Sequence, residues 1–222
     1  MLEPHQVYML ARDQAFFKAL FFSGDRAADL ALVKTQEILR FPDNTGFLFD
    51  HLWSKTLRQG DQNVFALKRA VNKLICPVLG IEVYIKICNL LVIDVTKGFL
   101  FRSLSKGKCI TADKFNSSAA QSRLDEYVKQ LASHFRERRL TLHGFRSGAA
   151  VSLALSKASL HEIMDHVGWK TPALHYIKLK ELKEVLNPAG PAAKLASLDS
   201  AALDVYIKWN ELQGFSQAFS GL

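Results

Sequence analysis

The 222-residue sequence predicts a mainly α-helical chain with one small antiparallel β-sheet, an α+β fold. Apolar residues recur at helical spacing in several long windows. One stretch, from Phe41 to Leu67, instead reads as turn chemistry between extended apolar runs. Hydrophobic residues make up 49% of the chain, enough to bury a large core without extensive disorder.

Residues 4–23 form the first expected helix, with Val7, Leu10, Ala15, Phe16 and Leu20 near helical spacing. SGD (23–25) breaks and caps the chain ahead of a second helix, RAADLALVKTQEI. FPDNTG (41–46) is a turn. GFLFDHLWSKTL and NVFAL, separated by RQGDQ, then predict a hairpin or three-stranded sheet. Residues 66–92 return to helix with an interruption near Pro77 and Gly80. GFLFRS (98–103) reads as a strand and SKGKCITADKFNSS as a loop. SSAAQSRLDEYVKQLASHF (117–135) is an amphipathic helix. A helix rich in small residues, Ser147 to Ser156, follows HGFR, and SLHEIMDHVG (159–168) makes another that stops at Gly168. LNPAGPAA (186–193) is a linker, and SLDSAALDVYIKWNELQGF (197–215) is a final helix. The expected organisation is one domain over residues 1–185 and an appendage, linker plus helix, over 186–222.

Lys and Arg number 29 against 21 Asp and Glu, a net charge of +8. That balance favours a polyanionic partner, nucleic acid ahead of an acidic membrane. Cys76, Cys88 and Cys109 are odd in number and form no CxxC pair, which argues against a zinc site or a disulfide scaffold and fits a reducing compartment. The N-terminus has no basic region followed by an apolar core. The most apolar window (74–93) contains Pro77, Glu82 and Lys86, which argues against a membrane span. A soluble, intracellular protein with no membrane partner is expected.

The richest chemistry lies in LTLHGFRSGAAVSLALSKASLHEIMDHVGWKTPALHYIKL (140–179). HGFR sets His143 and Arg146 three apart, on one face of a helix start. A planar guanidinium fork suits a phosphate, and a helix N-terminus adds partial positive charge beside it. Attack on a phosphodiester by a protein phenol needs such cations for the non-bridging oxygens and a proton for the leaving oxygen.

This run resembles the second half of the catalytic domain of tyrosine recombinases of the phage-integrase type. HGFRSGAA with GWKTPALHYIKL looks most like the form in eukaryotic DIRS-type and Crypton-type mobile elements. The resemblance implies that His143 assists proton transfer, Arg146 clamps the phosphate, Trp169 donates its indole N–H and Tyr176 is the nucleophile. It also implies an upstream arginine with an acid three residues on, which Arg26 and Asp29 match in FFSGDRAADLAL. A hairpin lysine acting as general acid is matched by Lys55 in HLWSKTLRQGDQ. Arg58, Arg138, Arg139, Lys170 and Lys178 are expected on the DNA backbone. GW aligns with the family motif, so His166 is expected to be structural.

The implied reaction breaks and rejoins double-stranded DNA through a 3′-phosphotyrosyl link. Bond energy is conserved, so no cofactor and no metal is expected. Strand exchange implies a homo-tetramer on DNA, with the tail helix docking on a neighbour, and a nuclear location if the source is eukaryotic. Two features depart from the family. Six residues separate Trp169 from Tyr176, a short interval, and 25 precede Arg26, so the core-binding domain is expected to be absent from this sequence, which is then either a fragment or a catalytic domain acting without that half. Two alternatives keep the fold: a catalytically inactive, domesticated DNA-binding module, or a type IB topoisomerase-like nicking-closing enzyme.

Overall fold

A computed structural model describes residues 2–51, 63–106, 108–131, 140–168 and 213–214. Helix α1 (Pro4–Ser23) starts with proline in its first turn, where no amide is needed, and with the Gln6 side chain accepting from the Glu3 amide at 2.8 Å. It ends at Gly24, whose φ of +62° is the left-handed conformation that glycine adopts without strain. The helix buries Tyr8, Ala11, Ala15, Phe16, Ala19 and Leu20. Leu10, expected among the apolar positions, is 39% exposed, and Arg12 and Asp13 are buried instead.

The expected helix over 26–38 shrinks to one turn, α2 (Ala27–Leu30), followed by a 3-10 turn (Thr35–Glu37) and strand β1 (Ile38–Arg40). The cause is a long-range backbone pairing. Leu100 N donates to Val33 O at 2.9 Å and Thr35 N to Gly98 O at 3.0 Å, which pulls residues 33–35 out of helical register. Val33 and Thr35, both β-branched, suit extended backbone.

Strands β2 (Gly46–His51) and β3 (Asn63–Lys68) pair antiparallel from Gly46–Lys68 to His51–Asn63. Phe47, Phe49, Phe65 and Leu67 point into the core, and Phe49 stacks on Phe65 at 4.9 Å. The expected hairpin is present, with β1 added across the FPDNTG turn, Ile38 opposite Phe49. Gln213–Gly214 forms β6, completing the order β3-β2-β1-β6. The final helix expected over 197–215 is therefore strand at those two residues; its other positions, like the linker at 186–193, lie outside the described residues.

The helix expected over 66–92 forms only as α3 (Pro77–Leu90). Pro77 does not interrupt it but starts it, Cys76 Sγ capping the Leu79 amide at 3.4 Å, while residues to Lys68 belong to β3. The expected loop over 105–118 holds strand β5 (Ile110–Lys114), paired with β4 (Arg102–Leu104) and closed by Ser105 N to Cys109 O at 2.8 Å. Helix α4 (Ser117–Gln130) starts at Asn116, whose side chain accepts from Ala119 N at 2.9 Å; residues 132–135 of the expected helix lie outside the described residues. Helix α5 (Leu142–Leu155) begins ahead of the expected Ser147, because Thr141 supplies the cap. Helix α6 (Leu160–Val167) starts with a Ser159–Glu162 capping pair and stops at Gly168, φ +67°.

The core sits where α1 lies along α3. Tyr8 and Tyr84 hydroxyls meet at 3.2 Å, and Phe16 packs edge-on against Phe101 and Phe115. All three cysteines are reduced; burial pushes the Cys88 thiol up to about 12, making it inert. About half the described chain is helical beside a small antiparallel sheet, as the sequence predicts. Among the described residues no helix is long and apolar enough to cross a membrane.

Candidate functional site

The turn between α1 and α2 is built to present one arginine. Ser23 Oγ accepts from the Asp25 amide at 3.2 Å, and Asp25 Oδ1 accepts from the Arg26 amide at 2.7 Å. Arg26 occupies the N-cap position of α2, and its guanidinium reaches one turn on to Asp29, Nη1 to Oδ2 at 3.5 Å. Asp29 is buried while the Arg26 side chain is 43% exposed, so the carboxylate steadies a guanidinium that solvent and ligands can still reach. In that exposure the pair aims the arginine more than it stabilises the fold.

Arg146 arrives from the other half of the chain. Thr141 Oγ1 accepts from Gly144 N at 3.3 Å and Gln121 Oε1 accepts from Leu142 N at 3.0 Å, so two of the first-turn amides of α5 have partners. Starting the helix at Leu142 places His143 in the first turn and Arg146 one turn on, on the same face. His143 is exposed. Arg146 is buried, and its Nη1 donates to Gly24 O at 2.7 Å. That bond ties the second arginine to the turn that carries the first.

These side chains line one cavity of about 200 Å³ together with Asp25, Ala27, Ser117 and Leu142. Ser117 is the first residue of α4 and Leu142 the first of α5, so the N-terminal ends of two fourteen-residue helices open onto the same space. Two guanidinium groups and two helix N-termini make the cavity a place for an anion. Its size suits a phosphate with part of the chain that bears it.

Of the residues singled out from the sequence, the structure brings Arg26, His143 and Arg146 to this cavity and puts Asp29 behind Arg26. Lys55 and Arg58 fall between β2 and β3, outside the described residues, as do Arg138, Arg139, Trp169, Lys170, Tyr176 and Lys178. His166, expected to be structural, is part-buried in α6 with its Nε2 2.8 Å from Phe22 O. Sequence reasoning missed Ser117, Asp25 and Gly24. The cap signal NSSAA could have marked the start of α4, but nothing local ties that start to Arg26. Among the described residues there is no cluster of three or more His, Cys, Asp or Glu side chains that could hold a metal ion.

Residues 4–179 match the model of the Phage integrase family, so the match spans both walls of the cavity and extends past Trp169 and Tyr176. No curated protein matches the chain.

Proposed function

The chain belongs to the phage integrase family, whose members carry out site-specific DNA cleavage and rejoining, and we propose that it does so through a covalent link on Tyr176. The observation that carries this reading is the cavity that gathers Arg26, His143 and Arg146 at the N-termini of α4 and α5. A scissile phosphate seated there meets two guanidinium forks, and the negative charge that grows on its non-bridging oxygens is met by groups already in place. Tyr176 Oη attacks phosphorus and gives up its proton with the help of His143. The bond from phosphorus to the 5′ oxygen breaks, and Lys55 protonates the departing oxygen. Trp169 donates its indole N–H to the phosphate. A 5′ hydroxyl from a second strand then reverses the sequence, so each phosphodiester lost is regained.

The further parts of the reading follow from strand exchange. Two duplexes exchanging strands need four active sites, hence a homo-tetramer, with residues 1–185 as the catalytic domain and residues 186–222 as an appendage that contacts a neighbour beyond the two residues, Gln213 and Gly214, that pair with β1. Arg58, Arg138, Arg139, Lys170 and Lys178 are assigned to the flanking DNA backbone, consistent with the net charge of +8. The likeness of HGFRSGAA and GWKTPALHYIKL to mobile-element recombinases gives the action its setting, integration or excision of such an element, in the nucleus if the source is eukaryotic.

Nicked suicide duplexes from a random-sequence library test the reading. The expected result is a detergent-resistant protein–DNA adduct, mapped to Tyr176 and lost in Tyr176→Phe. Salt-sensitive DNA binding without any adduct sinks the enzymatic reading and leaves a DNA-binding module. Adducts accompanied by supercoil relaxation from a monomer, with no pairing of sites, point to a nicking-closing enzyme instead.

A further inference from the structure

The backbone of residues 22–26 is gripped from two sides, and each grip leads toward a different part of the candidate site. From α5, Arg146 Nη1 donates to Gly24 O at 2.7 Å. From α6, His166 Nε2 lies 2.8 Å from Phe22 O. A carbonyl only accepts, so Nε2 is the protonated nitrogen of that imidazole. Beside it, the side chain of Val167 covers Gly24, where an added Cβ would come within 3.2 Å of Val167 Cγ2. One residue later Gly168 turns the chain at φ +67°, and Trp169 follows.

We propose that His166 is a positioning residue: its imidazole fixes the end of α6, and with it the origin of the Trp169–Tyr176 segment, to the turn that carries Arg26. The proposal rests on the reading of Tyr176 as nucleophile for its catalytic consequence, but not for the docking itself. Arg26 and Tyr176 stand 150 residues apart in the chain, so a reaction that needs both requires a non-local tie. The His166–Phe22 bond is such a tie, spanning 144 residues and ending four residues from Arg26. Imidazole suits the task because its donor has a fixed direction on a ring with only two side-chain torsions, so little freedom is lost when it is held.

The tie is also sensitive to acid. Burial lowers the proton affinity of His166, and the Phe22 carbonyl only partly offsets that. Among the described side chains near it, the charged or titratable groups are Asp25 and Arg26 on the turn, Arg146 on α5, and His161 and Glu162 on α6; Arg146 is bonded to Gly24 O and Glu162 to the Ser159 amide. A histidine whose folded-state value is depressed leaves stability intact above the ordinary value of about 6.5 and removes it progressively as pH falls below. The docking of α6 should loosen over that interval.

The test uses the full chain as wild type, His166→Phe and His166→Gln. Phe fills the volume without a donor, whereas Gln keeps one. Adduct formation on a nicked suicide duplex, non-covalent binding to the same duplex and amide hydrogen exchange over residues 160–168 are read in parallel. The expected result for H166F is an adduct rate lower by about tenfold to a hundredfold, with DNA affinity within about twofold and weakened protection of 160–168, and recovery of most of both losses in H166Q. Wild-type adduct rates and wild-type protection in H166F overturn the proposal. Should H166F fail to fold, a pH series decides. Protection over 160–168 that falls from about pH 7 to about pH 5.5 in wild type but stays level in H166Q supports it; the same pH response in both overturns it. If the wild type forms no adduct, the reading of Tyr176 fails, while the exchange data still judge the docking.

Discussion

Gly24 has two duties at the scale of a single residue. Its φ of +62° ends α1, and its bare Cα lets Val167 close over the turn while its carbonyl receives Arg146. Gly24→Ala adds a methyl in a conformation that L residues rarely adopt and against a packed side chain. The expected loss is about 1–2 kcal/mol in urea unfolding, together with a drop in adduct formation larger than the drop in DNA binding. Unchanged stability and unchanged adduct yield would show that the turn has slack the structure does not suggest. The residue scale is also where the sequence was least legible. HGFR announces His143 and Arg146 because their spacing is local. That Gly24 holds Arg146, and that Ser117 lines the same cavity as Arg26, depends on contacts across more than a hundred and about ninety residues respectively.

Between elements, a buried polar cluster fastens α1 to α4. Asp13 accepts from Arg12 Nε at 2.9 Å on one oxygen, and from Arg123 Nε at 2.7 Å and the Tyr127 hydroxyl at 2.9 Å on the other. Arg12 also donates to Arg102 O at 3.1 Å and lies over the Phe115 ring at 3.7 Å, so β4 and the start of α4 join the cluster. The Asp13 side chain is 1% exposed. Removing it leaves the buried Arg12 guanidinium without its carboxylate and takes from Arg123 one of its two, the other being Glu126, and Asp13→Ala is expected to destabilise the chain by roughly 3–5 kcal/mol in denaturant titration. A loss well under 1 kcal/mol would mean that neighbouring groups reorganise to replace it. The cluster explains part of what the sequence conceals: an Arg–Asp pair inside an amphipathic helix reads as a solvated face. The long helices were legible, since fourteen or more residues at a 3.6 period outweigh local accidents. Strands β1 and β5, three and five residues long, were not. Neither carries enough pattern to declare itself, and each exists because a partner strand is already present.

For the whole molecule, the four-stranded sheet draws β1, β2 and β3 from the first third of the chain and β6 from its C-terminal tail. Leu39 pairs with Gly214 and Arg40 with Gln213, so the tail covers the edge of β1. Deleting residues 187–222 removes both this edge strand and the appendage assigned to a neighbouring protomer. The truncated chain is expected to keep single-strand cleavage and DNA binding but to lose synapsis, measured as tetramer assembly on paired sites; equal recombination by the truncated chain would refute that role. The bonds that assemble the cavity have a temporal side as well. Arg146 meets Gly24 across 122 residues and His166 meets Phe22 across 144, while Arg26 itself is made early. Contacts of such separation form late, after the loops between them have closed. A nascent chain from which only α1 and β1 to β3 have emerged therefore lacks the Arg146 wall of the cavity. Under the proposed reaction, the site becomes competent only when synthesis has passed α6 and that helix has docked, so an unfinished chain carries the first arginine without the means to use it.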